Sequence, residues 1–571
     1  MFKRLLPLLL ILALSVPALA EGCRVVDTPV FRQTLTDETL SLRYYDDHPS
    51  VPCLGLSQYP ALFLGTPLDV ENRGDGSYIF TAQGGAQAVV DVNAGTLSCA
   101  DFPAFTNLMG AMVPGMDNQY LDAVSFARPD GLACADPNPV TLDLSAYHIP
   151  LHGEAEDVYL PLATLSDIFS NLAYFYVSFN GERVYVSFDN RMAQAWERDP
   201  AYAKPIYTRA ERPADLAAFA YDELCFAIDT FYGFPGREPI HDDLLALGLD
   251  QALLTHSDRS RRCRELLKSE KLGEYAVGSL HLGELLMDGG HTGMDFTALF
   301  TDKEEYPDFA VDYYMAVESD PPDYAAYTLF REQSAQIKLR QKKRRDAWGT
   351  EHYAEQGDTA VIWFDSFMYD FDGWEAFYAG KGPRPEGDMM RHVIDGLDRA
   401  ARNPDIKNVV LDVSCNNGGS ADMVVALLSL MANVSDFDAE NRLMGRIATH
   451  KYRVDRNFDG VFDASDADVH YPFRFGVLTS QLSFSCANLL PSRMRDLGMA
   501  VLGETSGGGT CAVSMFATPE GFPYHLSFGL ARLTDRFGRS IDAGVTPDVA
   551  LPDGQFYDLA ALSDAMNAFY R

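Results

Sequence analysis

Leu482-Ser483-Phe484-Ser485-Cys486-Ala487-Asn488-Leu489-Leu490 lies between a strand-like run, Phe473 to Thr479, and a helix-like run ending near Asp496 and Leu497. Ser485 therefore stands where a strand turns into a helix. A serine there exposes its hydroxyl beside unpaired backbone N–H groups. The helix start also carries partial positive charge, which favours an anion forming next to it. Serine is a good N-cap in its own right, so this turn needs corroboration from its surroundings.

Around it the texture is that of alternating strands and helices. Ala360-Val361-Ile362-Trp363-Phe364 reads as a strand, Met389 to Ala401 as a helix, Val409-Val410-Leu411-Asp412-Val413 as a buried strand, and Ala421 to Met431 as a helix. Further strands are expected at Ala500-Val501-Leu502 and Tyr524 to Leu530. Such alternation predicts an α/β domain with a largely parallel sheet over residues 351–571.

Upstream, residues 201–350 read as helical. Ala214 to Tyr232 and Leu244 to Leu254 carry apolar residues at helical spacing. A basic cluster from Lys338 to Arg345 is read as a solvated helix face pairing with acidic neighbours. Residues 21–200 show short β-like runs separated by Gly, Asp, Asn and Pro. Asn180-Gly181, following Tyr174 to Phe179 and preceding Val184-Tyr185-Val186, signals a hairpin. This part resembles the small accessory domains at the front of exported bacterial proteins and is expected to bind or position, with cell-envelope contact as its role.

Met1 to Ala20 reads as a secretory signal: Lys3 and Arg4, an apolar run from Leu5 to Val16, then Ala18-Leu19-Ala20. The expected location is extracytoplasmic. Cys23 as a lipid-bearing cysteine ranks second, because Glu21-Gly22 fits a lipobox poorly. No later apolar run is long enough to span a bilayer. The formal charge is −35 and becomes −37 without Lys3 and Arg4. A surface so acidic repels nucleic acid and anionic lipid. Hydrophobic residues make up 47 %, which sets the chain apart from disordered ones. Nine cysteines are an odd set. Cys23, Cys53, Cys99 and Cys134 allow three pairings, Cys225 and Cys263 form a further expected pair, and Cys415, Cys486 and Cys511 lie near the motifs.

Three segments of the last domain, taken in order, resemble the C-terminal processing (tail-specific protease) and tricorn-core family of serine peptidases. Val410-Leu411-Asp412-Val413-Ser414-Cys415-Asn416-Asn417-Gly418-Gly419 resembles its strand ending in a Gly-Gly turn. Ser483 to Asn488 resembles its nucleophile turn. Val501 to Gly509, with Ile541-Asp542-Ala543-Gly544-Val545-Thr546-Pro547-Asp548-Val549, resembles its closing elements. The resemblance implies a ClpP/crotonase-like α/β core, preceded by a helical segment and a β-rich α+β accessory domain. It implies peptide or protein substrates and no catalytic cofactor. Gly507-Gly508-Gly509 has glycine where the lysine-dyad members carry lysine, so a Ser–Lys mechanism is not available there.

The histidine-base branch takes its base from upstream, and Asp288-Gly289-Gly290-His291-Thr292 resembles that element. The implied roles are then Ser485 as nucleophile and His291 as base, with His525 and His281 as runners-up. Asp542 is the implied acid that orients the base, with Glu504 as the alternative. The N–H groups of Cys486 and Gly418 are the implied oxyanion donors. Asp412 lacks the family's nearby arginine, Ser414 standing in its place, so its ion pair is expected to be missing. A catalytically inactive binding or scaffold protein on the same fold is the rival expectation.

Asp455-Arg456-Asn457-Phe458-Asp459-Gly460-Val461-Phe462-Asp463-Ala464-Ser465-Asp466 has the spacing of a calcium loop. Asp455, Asn457, Asp459, Asp463 and Asp466 supply side-chain oxygens, Val461 a carbonyl, and Gly460 the sharp turn. A structural Ca²⁺ is expected, against the plainer reading of an acidic Asx-rich turn.

Overall fold

The computed structural model describes residues 22–32, 35–106, 126–134, 138–170, 175–188, 199, 202, 204–208, 211–234, 236, 238–289, 291–293, 307–323 and 325–571. The expected signal, 1–20, lies outside the described residues.

The C-terminal part is built on a six-stranded sheet in the order Tyr353–Gln356, Thr359–Trp363, Asn408–Asp412, Arg474–Thr479, Ala500–Gly503, Val549–Ala550. All neighbours are parallel except the first pair, a hairpin in which Gln356 faces Thr359. Thr359–Trp363 and Asn408–Asp412 are buried at every position. Burial at every position of a strand is what a parallel sheet covered on both faces produces. The covering helices start on side-chain caps. Asp388 accepts from Arg391 N before Met389–Arg402, Ser420 from Asp422 N before Ala421–Ala432, and Asp558 from Ala560 N before Leu559–Phe569.

A second sheet packs antiparallel strands in the order Cys511–Ala517, Pro523–Leu533, Asp436–Asn441, Arg446–Val454, Ala127–Cys134. The expected strand at Tyr524 to Leu530 thus belongs here, beside the parallel sheet. Ala127–Cys134, from the expected accessory domain, is the edge strand of this sheet and pairs with Arg446–Val454.

The N-terminal part is β-rich, with a seven-stranded and a five-stranded sheet. The expected hairpin is present as Phe175–Phe179 against Val184–Phe188. Asn180 Oδ1 accepts from the N–H groups of Glu182 and Arg183 and so shapes its turn. Among the helices, Ala214–Phe231 matches expectation, but the run expected at Leu244 to Leu254 is two helices, Pro239–Leu247 and Leu249–Thr255. Gly248 at φ +76 breaks it, and Asp229 Oδ1 caps the second piece at Leu249 N, 2.7 Å away. Among the described residues no helix is long and apolar enough to cross a membrane.

The expected pair Cys225–Cys263 is not formed. Both thiols are free and buried, as are Cys53, Cys99, Cys415, Cys486 and Cys511, while Cys23 is free and partly exposed. Each of these buried thiols packs as a small apolar side chain. The side chain of Cys134 lies outside the described residues.

Candidate active site

Ser485 precedes helix Cys486–Asp496 with φ +57 and ψ −118, a conformation that costs free energy in any residue bearing a Cβ. The surrounding hydrogen bonds hold it there. Ser485 N donates to Gly508 O (2.9 Å), Phe484 N to Asn416 O (3.2 Å), and Ser485 O accepts from Asn488 N and Leu489 N. Two buried serines fasten the approach, Ser480 Oγ to Ser414 O (2.6 Å) and Ser483 Oγ to Val413 O (2.8 Å). The strained turn is therefore tied to the ends of both neighbouring strands.

Gly418 packs directly against it. A Cβ at Gly418 would lie 2.7 Å from Ser485 Cβ, 2.9 Å from Phe484 O and 3.2 Å from Cys486 N, and the residue has φ +106. Only glycine fits that approach. The Gly418 N–H, expected as an oxyanion donor, is engaged by Asn416 Oδ1 at 2.8 Å. Cys486 keeps its side chain out of the chemistry. Burial, with Asp422 nearby, pushes its thiol up to about 12, and its Sγ donates to Gly419 O at 3.0 Å. It is thus a neutral thiol beside Ser485, not a competing nucleophile.

His291 reaches this turn from the helical part. Its half-buried ring lies 4.8 Å, centroid to centroid, from Phe484, the residue before Ser485. Of the runners-up, His525 sits on strand Pro523–Leu533 against Gly293, whose N–H donates to His525 O. His281 is buried between Glu284 and Asp320, on helix Leu272–Leu286.

The two expected acids differ. Asp542 is buried, and its Oδ1 accepts from Gly509 N (3.1 Å), Thr510 N (3.0 Å) and Thr510 Oγ1 (3.2 Å), which fixes the triple-glycine segment beside Phe484. Glu504 is held by both oxygens to Arg340 Nη2, at 3.0 and 2.9 Å. That ion pair already occupies the carboxylate of the alternative acid.

Asp412 is a correction. Its ion pair is present, supplied by Arg344 from helix Ala325–Trp348, with Nη1 3.3 Å from Asp412 Oδ2 and Nη2 bound to Asp365. Both Asp412 and Arg344 are buried. Burial alone would lower the Arg344 pKa, but Asp412 and Asp365 outweigh it and keep the guanidinium charged. The basic cluster is therefore not uniformly a solvated face. Its Arg340 and Arg344 lock the helix onto the core, while Lys342 pairs at the surface with Asp346.

Residues not anticipated include Asn488 and Ser506. Asn488 Nδ2 donates to Ile541 O, its Oδ1 accepts from Ser506 Oγ, and Ser506 Oγ accepts from Val545 N. The nucleophile helix is thereby joined to the segment around Asp542. An asparagine three residues past a serine is too common a pattern to have indicated this.

In loop 455–466, Asp455, Asn457, Asp459 and Asp463 each accept backbone N–H groups further along the loop, and Asp466 Oδ1 accepts from Arg456 N. Asn457 Nδ2 donates to Asp459 Oδ2 at 3.0 Å. Among the described residues no three His, Cys, Asp or Glu side chains gather where they could hold a metal ion. In this geometry the carboxylates close the loop on itself.

The strained serine, the glycine pressed against it and the closing elements fall inside one stretch with a recognisable relation. Residues 365–551 match the model of peptidase family S41. That stretch is about a third of the chain and supports a serine-type peptidase. His291 and Asp288 lie upstream of it. No curated protein sequence matches the chain. Among solved structures it is similar to a photosystem II D1 C-terminal processing protease, at 16 % identity and a TM-score of 0.27, over 36 % of this chain and 46 % of that one. Mature CPAF complexed with lactacystin is similar at 16 % identity and a TM-score of 0.26, over 37 % and 51 %. A lipoprotein from Streptococcus agalactiae is similar at 12 % identity and a TM-score of 0.32, over 62 % and 95 %. The chain spans about half the length of the first two.

Proposed function

We propose that this chain is an exported serine peptidase with a ClpP/crotonase-like core, acting through an acyl-enzyme. The observation that carries the reading is the Ser485 turn, a non-glycine residue at positive φ on a helix start, with Gly418 against its Cβ. Ser485 Oγ attacks the carbonyl carbon of a peptide bond, and His291 accepts the hydroxyl proton. The C–N bond then breaks and His291 returns the proton to the leaving amine. Water, activated by the same imidazole, releases the acid and restores the serine. The Cys486 N–H at the helix start faces the developing oxyanion. Gly418 shares that task once Asn416 gives up its N–H.

One observation favours the rival reading, an inactive binding or scaffold protein. Gly418 N–H is satisfied internally, as it would be in a turn kept for shape alone. Incubating the full chain with a denatured protein mixture and sequencing new termini decides between the two. The peptidase reading predicts new termini that are absent with Ser485→Ala. Identical termini with both proteins would contradict it.

Calcium is a separate proposal. Hard oxygens at six loop positions suit Ca²⁺ once the carboxylates turn inward from the loop's own N–H groups. Millimolar Ca²⁺ is expected to raise Tm and a chelator to lower it, with Asp459→Ala abolishing the difference. Equal Tm with ion and with chelator would refute it.

A further inference from the structure

His291 stands in a short loop whose ends are closed by one buried carboxylate. Asp288 accepts from Thr292 N (2.8 Å) and Thr292 Oγ1 (2.6 Å), so the loop containing His291 is bridged from its first residue to its fifth. Asp288 Oδ2 also accepts from Ser527 Oγ at 2.6 Å, and lies 3.4 Å from the Tyr232 hydroxyl. Thr292 Oγ1 in turn accepts from Ser527 N at 3.1 Å. Both residues are buried. Beyond them Gly293 and His525 exchange backbone hydrogen bonds, Gly293 N to His525 O at 3.0 Å and His525 N to Gly293 O at 3.2 Å. At the other end His241 Nε2 donates to Leu286 O at 2.8 Å, holding the last turn of the preceding helix.

We propose that Asp288 and Thr292 are positioning residues that hold the His291 loop against strand Pro523–Leu533, so that the imidazole is presented to Ser485. The inference rests on His291 being the base. Glycine at 289, with φ +82, lets the chain turn sharply after the preceding helix. The side chains of Asp288 and Thr292 add ties from that turn to the strand. A carboxylate in a dry site that accepts several hydrogen bonds holds its donors more firmly than a neutral acceptor would. A base on a loop must be held to within a fraction of an ångström of its working geometry, and displacement of about 1 Å costs roughly 100-fold in rate. The Oγ1 of Thr292 is the hinge of the arrangement, since it donates to Asp288 and accepts from Ser527 N.

The test is the rate at which a fluorophosphonate probe labels the full-length chain. Thr292→Val, which keeps the shape and removes the hydroxyl, is expected to label roughly 100-fold more slowly than wild type. Thr292→Ser, which restores the hydroxyl, is expected to recover most of that loss. Because the effect runs through His291, Thr292→Val should add nothing in a His291→Ala background. Amide hydrogen exchange over residues 286–293 should be faster in Thr292→Val than in Thr292→Ser. Wild-type labelling by Thr292→Val would overturn the positioning role and leave His291 as base. Wild-type labelling by His291→Ala would overturn the base itself. An equal slowing by Thr292→Val with and without His291 would show a general lesion and overturn the proposal.

Discussion

At the scale of single residues, the turn at Ser485 depends on a glycine where no other residue fits. Ser485 bears a Cβ at positive φ, and Gly418 makes room for that Cβ. Gly418→Ala is therefore predicted to cut probe labelling by at least roughly tenfold, because the new methyl meets Ser485 Cβ and the Phe484 carbonyl. Labelling at the wild-type rate by a folded Gly418→Ala would show that the approach is unimportant. These two residues were legible from sequence, since a strand-to-helix turn and a Gly-Gly turn each have a local pattern. The Asp288 cluster was not. Its loop stood out only by resemblance, and the partner that completes it, Ser527, is 239 residues away.

At the scale of elements, the strands and helices of the C-terminal part are where the apolar runs place them, because a parallel sheet buries both faces and writes that burial plainly. In helix Ala325–Trp348 basic residues pair with acids as expected, but not all of them on a solvated face. The helix is mostly exposed, and its basic residues look solvated until the sheet is in place and Arg344 meets Asp412, 68 residues on. Removing one partner of such a pair leaves a buried charge uncompensated, a loss of about 3–5 kcal/mol. Arg344→Met is predicted to destabilise the chain by that order in denaturant unfolding. Adding Asp412→Asn should recover part of the loss, since the buried charge is then gone. No recovery in the double variant would place the effect elsewhere, in the Asp365 contact or in packing on Trp363.

At the scale of the whole molecule, the N-terminal part and the helical part meet through an unusual contact. Asp167 on helix Leu162–Ile168 and Glu223 on helix Ala214–Phe231 are both buried, and Thr164 Oγ1 donates to Glu223 Oε2 at 2.5 Å. Burial, reinforced by Glu223, raises the Asp167 pKa well above the carboxylate range, and burial pushes Glu223 up to about 7. A carboxyl whose pKa is raised on folding binds more protons folded than unfolded. Its stabilising contribution is complete below the unfolded value and is lost as pH rises through the folded one. Stability is thus predicted to fall between about pH 4.5 and about pH 7 through Glu223, and through Asp167 over a window that opens at its lower unfolded value and extends upward. Asp167→Asn, which supplies an amide donor at all pH values, should flatten that slope in Tm measured across the range. An unchanged slope would mean that other groups set it. Sequence could not have paired these two acids, because each lies on an apolar helix face where a lone carboxyl reads as an exception.

Fluorophosphonate labelling of the purified full-length chain, with the adduct mapped by peptide mass spectrometry, tests whether Ser485 is an activated nucleophile. An activated serine predicts one adduct, on Ser485, that disappears with Ser485→Ala and is strongly slowed with His291→Ala. Folded wild-type protein that takes up no probe, or takes it up at another residue, would contradict the assignment of Ser485 as the nucleophile.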